Sequence, residues 1–185
     1  FLFNHAEELD FVGPFEVFTM VNEVARFQKR EEPNTVVLIS ESGADIRGAK
    51  GMRVGVDCAM ADAPPLDVIC IPGGNGTRPL IRNRAVLDWV AAAAAPCAWV
   101  TSVCTGAFVL AAAGPAKGRR VTTHWAAVEE LRGLDLGCTV TPGERYVRDA
   151  TLVTPAGVAA ATSTALWLTG QLYGAELARQ SRQVT

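Results

Sequence analysis

The sequence is poor in histidine. Only His5 and His124 occur among its 185 residues, too few for a multi-histidine metal centre. It also lacks any C-x-x-C pair, and its five cysteines (Cys58, Cys70, Cys97, Cys104 and Cys138) are odd in number and irregularly spaced. That arithmetic argues against a disulfide framework or a cysteine zinc site, and free thiols in a reducing cytoplasm are the expectation. An excess of charge of one sign is missing too. The 17 basic and 19 acidic side chains leave a net charge of −2, and no basic run exceeds Arg119-Arg120. Nothing in that balance recruits nucleic acid or an acidic membrane surface. No basic segment leads into an apolar stretch with a cleavage site, so a signal peptide is not supported.

One run lacks charge altogether. Residues 89–116 contain no Asp, Glu, Lys or Arg, enough to span a bilayer on length alone. Pro96, Thr101, Ser102, Thr105 and Gly106 interrupt the run, which reads instead as helix end, buried strand, tight turn and second helix.

What is present is the composition of a compact globular protein, 49% apolar and 19% charged. The length suits one domain over residues 1–185. No Met precedes Phe1-Leu2-Phe3, which reads as the second half of a strand, so a few residues are expected to be missing at the front. Gln183-Val184-Thr185 ends without a helix cap, leaving a clip at that end open.

Strands and helices alternate along the chain. Residues 1–4 are a strand remnant, and Gly13-Pro14 opens a helix to about Phe27, with Phe15, Phe18 and Val21 on one face. Residues 35–40 (TVVLIS) form a buried strand, 52–57 a weaker one, and 67–71 (DVICI) another that ends in Pro72-Gly73-Gly74. A helix over 80–95 precedes a central strand at 98–103. The helix over 105–113 stops on Gly114-Pro115. A short strand at 121–123 and a helix over 125–131 follow. Residues 139–141 and 145–148, around Pro142-Gly143, suggest a hairpin, 152–154 a last strand, and 158–179 a long helix. This order predicts an α/β sandwich with a mostly parallel central sheet and helices on both faces, flavodoxin-like in type.

The strongest chemical signal is Ser102-Val103-Cys104-Thr105-Gly106. A buried strand runs into a nucleophile, small residues and a helix, the layout of a nucleophile elbow. A thiol at such a helix N-terminus is expected to have a lowered pKa. The other four cysteines read as structural thiols. Pro72-Gly73-Gly74 follows a buried strand and frees backbone N–H groups to form half of an oxyanion hole or anion nest, although alone it calls for nothing beyond a tight turn. Glu7, Glu8 and Asp10 follow the first strand; they supply a general acid or base, or they favour the start of the next helix, and the residues leave both open. His124 could pair with Cys104 as in a cysteine hydrolase, or simply pack at a strand end.

Five blocks in order, AEELDFVGPFEVF, DVICIPGG, SVCTGAFVLAAAG, VTTHW and TPAGVAAATSTALWL, resemble the ThiJ/PfpI superfamily of class I glutamine-amidotransferase-like proteins over nearly the whole chain. The Cys-Thr-Gly elbow with LD-x-x-GP-x-E-V-F most resembles isonitrile hydratases and the amidotransferase-like domains attached to AraC-type regulators. It is less similar to the protease-like branch, which places His where Thr105 stands. The resemblance implies Cys104 as nucleophile, Asp10 as the essential carboxylate, Thr105 beside them, and backbone donors at Gly74 and Thr105. Gly73 and His124 are implied as accessory residues. It further implies a small-molecule substrate, no cofactor or metal, a homodimer, and hydration of an isonitrile to a formamide. Two positions depart from the family pattern: Pro115-Ala116 replaces Leu-Leu, and Ser163 replaces an Asp common near the start of the last helix. The alternatives are a small-molecule-sensing domain of a transcriptional regulator, whose helix-turn-helix module is not seen before Thr185, and another cysteine chemistry such as amide or peptide hydrolysis or an oxidative-stress role.

Overall fold

The computed structural model describes residues 1–184. Its helix α1 spans Glu8–Phe27, followed by four two-residue strands: β1 (Ile39–Ser40), β2 (Ile46–Arg47), β3 (Arg53–Val54) and β4 (Cys58–Ala59). Then come β5 (Val68–Ile71), α2 (Thr77–Leu80), α3 (Arg84–Ala94), β6 (Trp99–Ser102) and α4 (Ala107–Ala113). The remainder is β7 (Arg120–Val121), α5 (Val128–Gly133), β8 (Thr139–Val140), β9 (Tyr146–Asp149), β10 (Leu152–Pro155), α6 (Val158–Tyr173) and α7 (Ala175–Val184).

The central sheet has the order β5-β6-β10-β9, with β5, β6 and β10 parallel and β9 antiparallel at its edge. Side chains alternate between its faces. Ile69, Ile71, Val100 and Leu152 join the core that holds Val86 and Val90 of α3 and Phe108 and Leu110 of α4. Cys70 and Thr101 face the opposite way, toward Pro14, Phe18, Ala161 and Leu168 of α1 and α6. Each fully buried Phe, Leu or Ile of this core contributes about 2 kcal/mol by leaving water. Helices α1, α6 and α7 pack against one another, and Gly13 permits the close approach, since a Cβ there would lie 2.9 Å from Thr162 Oγ1. This is the α/β architecture the alternating pattern predicts.

Several elements differ from the sequence expectation. The first residues lie extended between two strands: the Leu2 N–H bonds the Ile39 carbonyl at 2.7 Å and the Phe1 amino group bonds the Cys70 carbonyl at 2.9 Å. These single bonds do not build a regular ladder. Helix α1 begins at Glu8 and not at Gly13-Pro14; Pro14 sits within its second turn, where the N–H that would serve the Asp10 carbonyl is lost. Of residues 35–40 only Ile39–Ser40 is regular strand, and of 52–57 only Arg53–Val54. The helix expected over 80–95 is two, because the Asn83 side chain accepts the Val86 N–H at 3.3 Å and starts α3 anew. The expected 139–148 hairpin does not form. Strand β8 pairs in parallel with β7, and β9 instead turns at Ala150 (φ 52°) to pair with β10. The last helix breaks at Gly174, whose φ of 93° ends α6.

Candidate active site

The elbow forms where β6 ends. Cys104 has φ 53°, a left-handed conformation uncommon for a residue with a side chain, and begins a short 3-10 turn, Cys104–Gly106, that leads into α4. Gly106 is required by contact: a Cβ there would lie 2.1 Å from the Ile71 carbonyl oxygen. The turn therefore packs directly onto the carboxyl end of β5.

The loop after β5 closes the site. Residues 4–7 fold over it, with the Glu7 N–H bonding the Gly73 carbonyl at 2.9 Å, and this contact places the first turn of α1 beside Gly73. Asp10, fully buried, accepts the Gly73 N–H on Oδ2 at 2.9 Å. Its Oδ1 is buried with no hydrogen-bond partner among the described residues. A Cβ built on Gly73 would lie 2.7 Å from Asp10 Oδ2, 2.7 Å from the Thr105 nitrogen and 2.9 Å from Cys104 Cβ. The three groups thus converge around the Gly73 Cα, where any side chain would collide with all of them.

Thr105 ties the two loops together. Its Oγ1 accepts the Gly74 N–H at 2.9 Å and lies 3.2 Å from the Gly74 carbonyl. The Gly74 N–H, expected as a backbone donor to substrate, is thus engaged by Thr105. His124 accepts the Ala126 N–H on Nδ1 at 3.3 Å and its ring lies 5.5 Å from that of Trp125, so that nitrogen caps a turn. Its neighbour Thr123, which the sequence did not single out, reaches the elbow: Thr123 Oγ1 donates to the Cys104 carbonyl at 2.9 Å. The VTTHW block alone carried a signal for it. Ser163 is exposed and accepts a hydrogen bond from Arg145 at 2.9 Å.

Electrostatics overturn one expectation. Burial, and then the neighbouring Asp10 charge, push the Cys104 thiol up to about 11, while the Thr105 N–H and hydroxyl pull it down less strongly. Desolvation dominates, so the thiol lies above its ordinary value and not below it. Burial likewise raises Asp10 to about 6, against the opposing Gly73 N–H, with Glu7 raising it further and Lys50 lowering it. Glu7 and Lys50 form an ion pair. Glu8 stays below the usual range: burial would raise its carboxyl, but the backbone N–H groups of Lys50 and Met52 that bond it prevail. Glu8 is thus an anchor for the 48–52 loop. Of the other thiols, Cys70 is also pushed up to about 11 by burial, and Cys97 bonds the Leu66 and Ala93 carbonyls.

The family model described as DJ-1/PfpI matches residues 1–169. The chain belongs to the DJ-1/PfpI family. Among its relatives, an isonitrile hydratase of Pseudomonas putida is 35% identical over 96% of this chain and 72% of that protein. The HTH-type transcriptional regulator CdhR of Pseudomonas aeruginosa is 28% identical, over 77% of this chain and 42% of the regulator. A crystal structure of a ThiJ/PfpI family protein from Pseudomonas syringae superposes with a TM-score of 0.87 at 25% identity, covering 99% of this chain and 71% of that one. In this DJ-1/PfpI chain, no helix among the described residues is long and apolar enough to cross a membrane.

Proposed function

We propose that the chain hydrates an isonitrile to an N-substituted formamide, with Cys104 as nucleophile and Asp10 as general acid and base. The observation that carries the reading is the convergence of Asp10 Oδ2, the Thr105 nitrogen and Cys104 Cβ around Gly73. Similarity to an isonitrile hydratase supports the substrate class.

In this scheme the Asp10 carboxylate takes the thiol proton as Sγ bonds the terminal carbon of R–N≡C, then delivers that proton to the same carbon. The thioimidate Cys104–S–CH=N–R results. Water adds to its carbon, and a water proton passes by way of Asp10 to the nitrogen. The C–S bond then breaks, sulfur recovers the second proton, and the formamide HC(=O)–NH–R leaves. The scheme needs no cofactor. Thr105 steadies negative charge through its N–H, and Gly74 acts on it indirectly by holding the Thr105 hydroxyl. His124 has no assigned step. The reading carries with it a homodimer acting in the cytoplasm on a small molecule.

Cyclohexyl isocyanide, followed chromatographically, tests the reaction. Formamide is expected from the intact protein and not from Cys104→Ala or Asp10→Ala. Full turnover by Cys104→Ala would overturn the scheme.

The likeness to CdhR favours a second reading, a small-molecule-sensing domain. It predicts no formamide, a Cys104 still open to alkylation, and saturable binding of a ligand that protects it.

A further inference from the structure

The carbonyl of Cys104 and the N–H of Thr105 belong to one planar peptide unit, so their directions are locked together and opposed. Whatever holds the carbonyl therefore aims the N–H. The Cys104 carbonyl receives the Thr123 hydroxyl at 2.9 Å. The Thr105 nitrogen, at the other end of the unit, packs around Gly73 together with Asp10 Oδ2 and Cys104 Cβ.

Thr123 is well placed to hold its end. It is 1% exposed, and it directly follows Thr122, whose N–H bonds the buried Thr154 Oγ1 at 2.9 Å. One residue earlier, the Val121 carbonyl receives the Thr141 N–H at 2.8 Å. The segment is thus anchored to both β10 and the end of β8. The unit it restrains is under tension, since Cys104 sits at φ 53°, a conformation that a residue other than glycine leaves readily unless its surroundings oppose it.

We propose that Thr123 is a positioning residue for the elbow: its hydroxyl fixes the Cys104–Thr105 peptide so that the Thr105 N–H faces the thiol and the reacting carbon. Without that hydroxyl, rotation of the peptide turns the N–H away. The inference deepens the hydratase reading and rests on it only for the second half of the claim; the orientation toward the thiol stands separately. The Thr105 N–H is among the groups that hold the Cys104 pKa down, so its loss makes the thiol harder to ionise.

The test is the pH profile of Cys104 alkylation by iodoacetamide, which needs no isonitrile. Thr123→Val keeps the side-chain shape and removes the hydroxyl, and its profile is expected to move upward by about one pH unit. Thr123→Ser keeps the hydroxyl and is expected to retain the native profile. With isonitrile, Thr123→Val is expected to lose about 100-fold in kcat with little change in KM, as for loss of an oxyanion donor. A native alkylation profile in a folded Thr123→Val overturns the proposal, and so does a shifted one in Thr123→Ser. If Thr123→Val does not fold, Thr123→Ala, which also lacks the hydroxyl, is read in its place against Thr123→Ser: the same upward shift is expected, and a native alkylation profile overturns the proposal. A shifted profile in a protein that makes no formamide retains the positioning role and removes the hydratase reading.

Discussion

Asp10 receives the Gly73 amide on Oδ2 at 2.9 Å, while its other oxygen stays buried without a partner among the described residues. A carboxylate so placed is more costly to ionise than in water, which is why Asp10 rises to about 6. Asp10→Asn is expected to abolish turnover and to alter stability in a pH-dependent way. The native carboxyl is raised from 3.8, so its favourable contribution is complete below pH 4 and is lost as pH rises through 6. Relative to Asp10→Asn, the native protein should lose roughly 3 kcal/mol over that window, read by urea denaturation at a series of pH values.

The same substitution should act on the thiol in the opposite sense to its effect on catalysis. The Asp10 charge is the second cause, after burial, of the raised Cys104 pKa. Asp10→Asn removes it, so Cys104 should be alkylated faster at pH 8 than in the native protein even as formamide production ceases. Slower alkylation would remove Asp10 from the thiol's surroundings.

Activity should show an acid limb near pH 6. Asp10 must be ionised to take the thiol proton, and it reaches that state as pH rises through about 6. A kcat/KM profile checks this.

Gly106→Ala should unfold the elbow. A Cβ there meets the Ile71 carbonyl oxygen at 2.1 Å and the Pro72 carbonyl oxygen at 2.8 Å, both backbone atoms that cannot step aside. A loss of about 3 kcal/mol or more is expected from denaturation, together with loss of Cys104 reactivity.

Asn83→Ala provides a contrast away from the site. It removes the cap of α3 and should cost about 1 kcal/mol in denaturant while leaving Cys104 alkylation unchanged.

The sequence by itself determined the elements whose signals are local. DVICI and AWVTS read as buried strands because apolar β-branched runs of that length have few other uses, and both form, as β5 and β6. Gly114 ends α4 with φ 111°, as Gly114-Pro115 foretold. The elbow at Cys104 was visible because its tight turn demands small residues in a fixed local order.

Tertiary structure decided whatever depends on distant partners. Alternating residues near 139–148 suit several pairings, and only the buried match of Val121 with Val140 and the turn at Ala150 chose among them. Glu7, Glu8 and Asp10 lie close together in sequence, yet they take three roles because each meets a different distant segment: Lys50 Nζ for Glu7, the 50–52 backbone for Glu8 and Gly73 for Asp10. The direction of the Cys104 pKa was illegible for the same reason. A helix N-terminus is a local feature that lowers it, whereas burial and the Asp10 charge arise only when the chain has closed around the thiol. Thr123 belongs with these: its one decisive atom matters because folding brings it to the far end of the peptide that carries the Thr105 N–H.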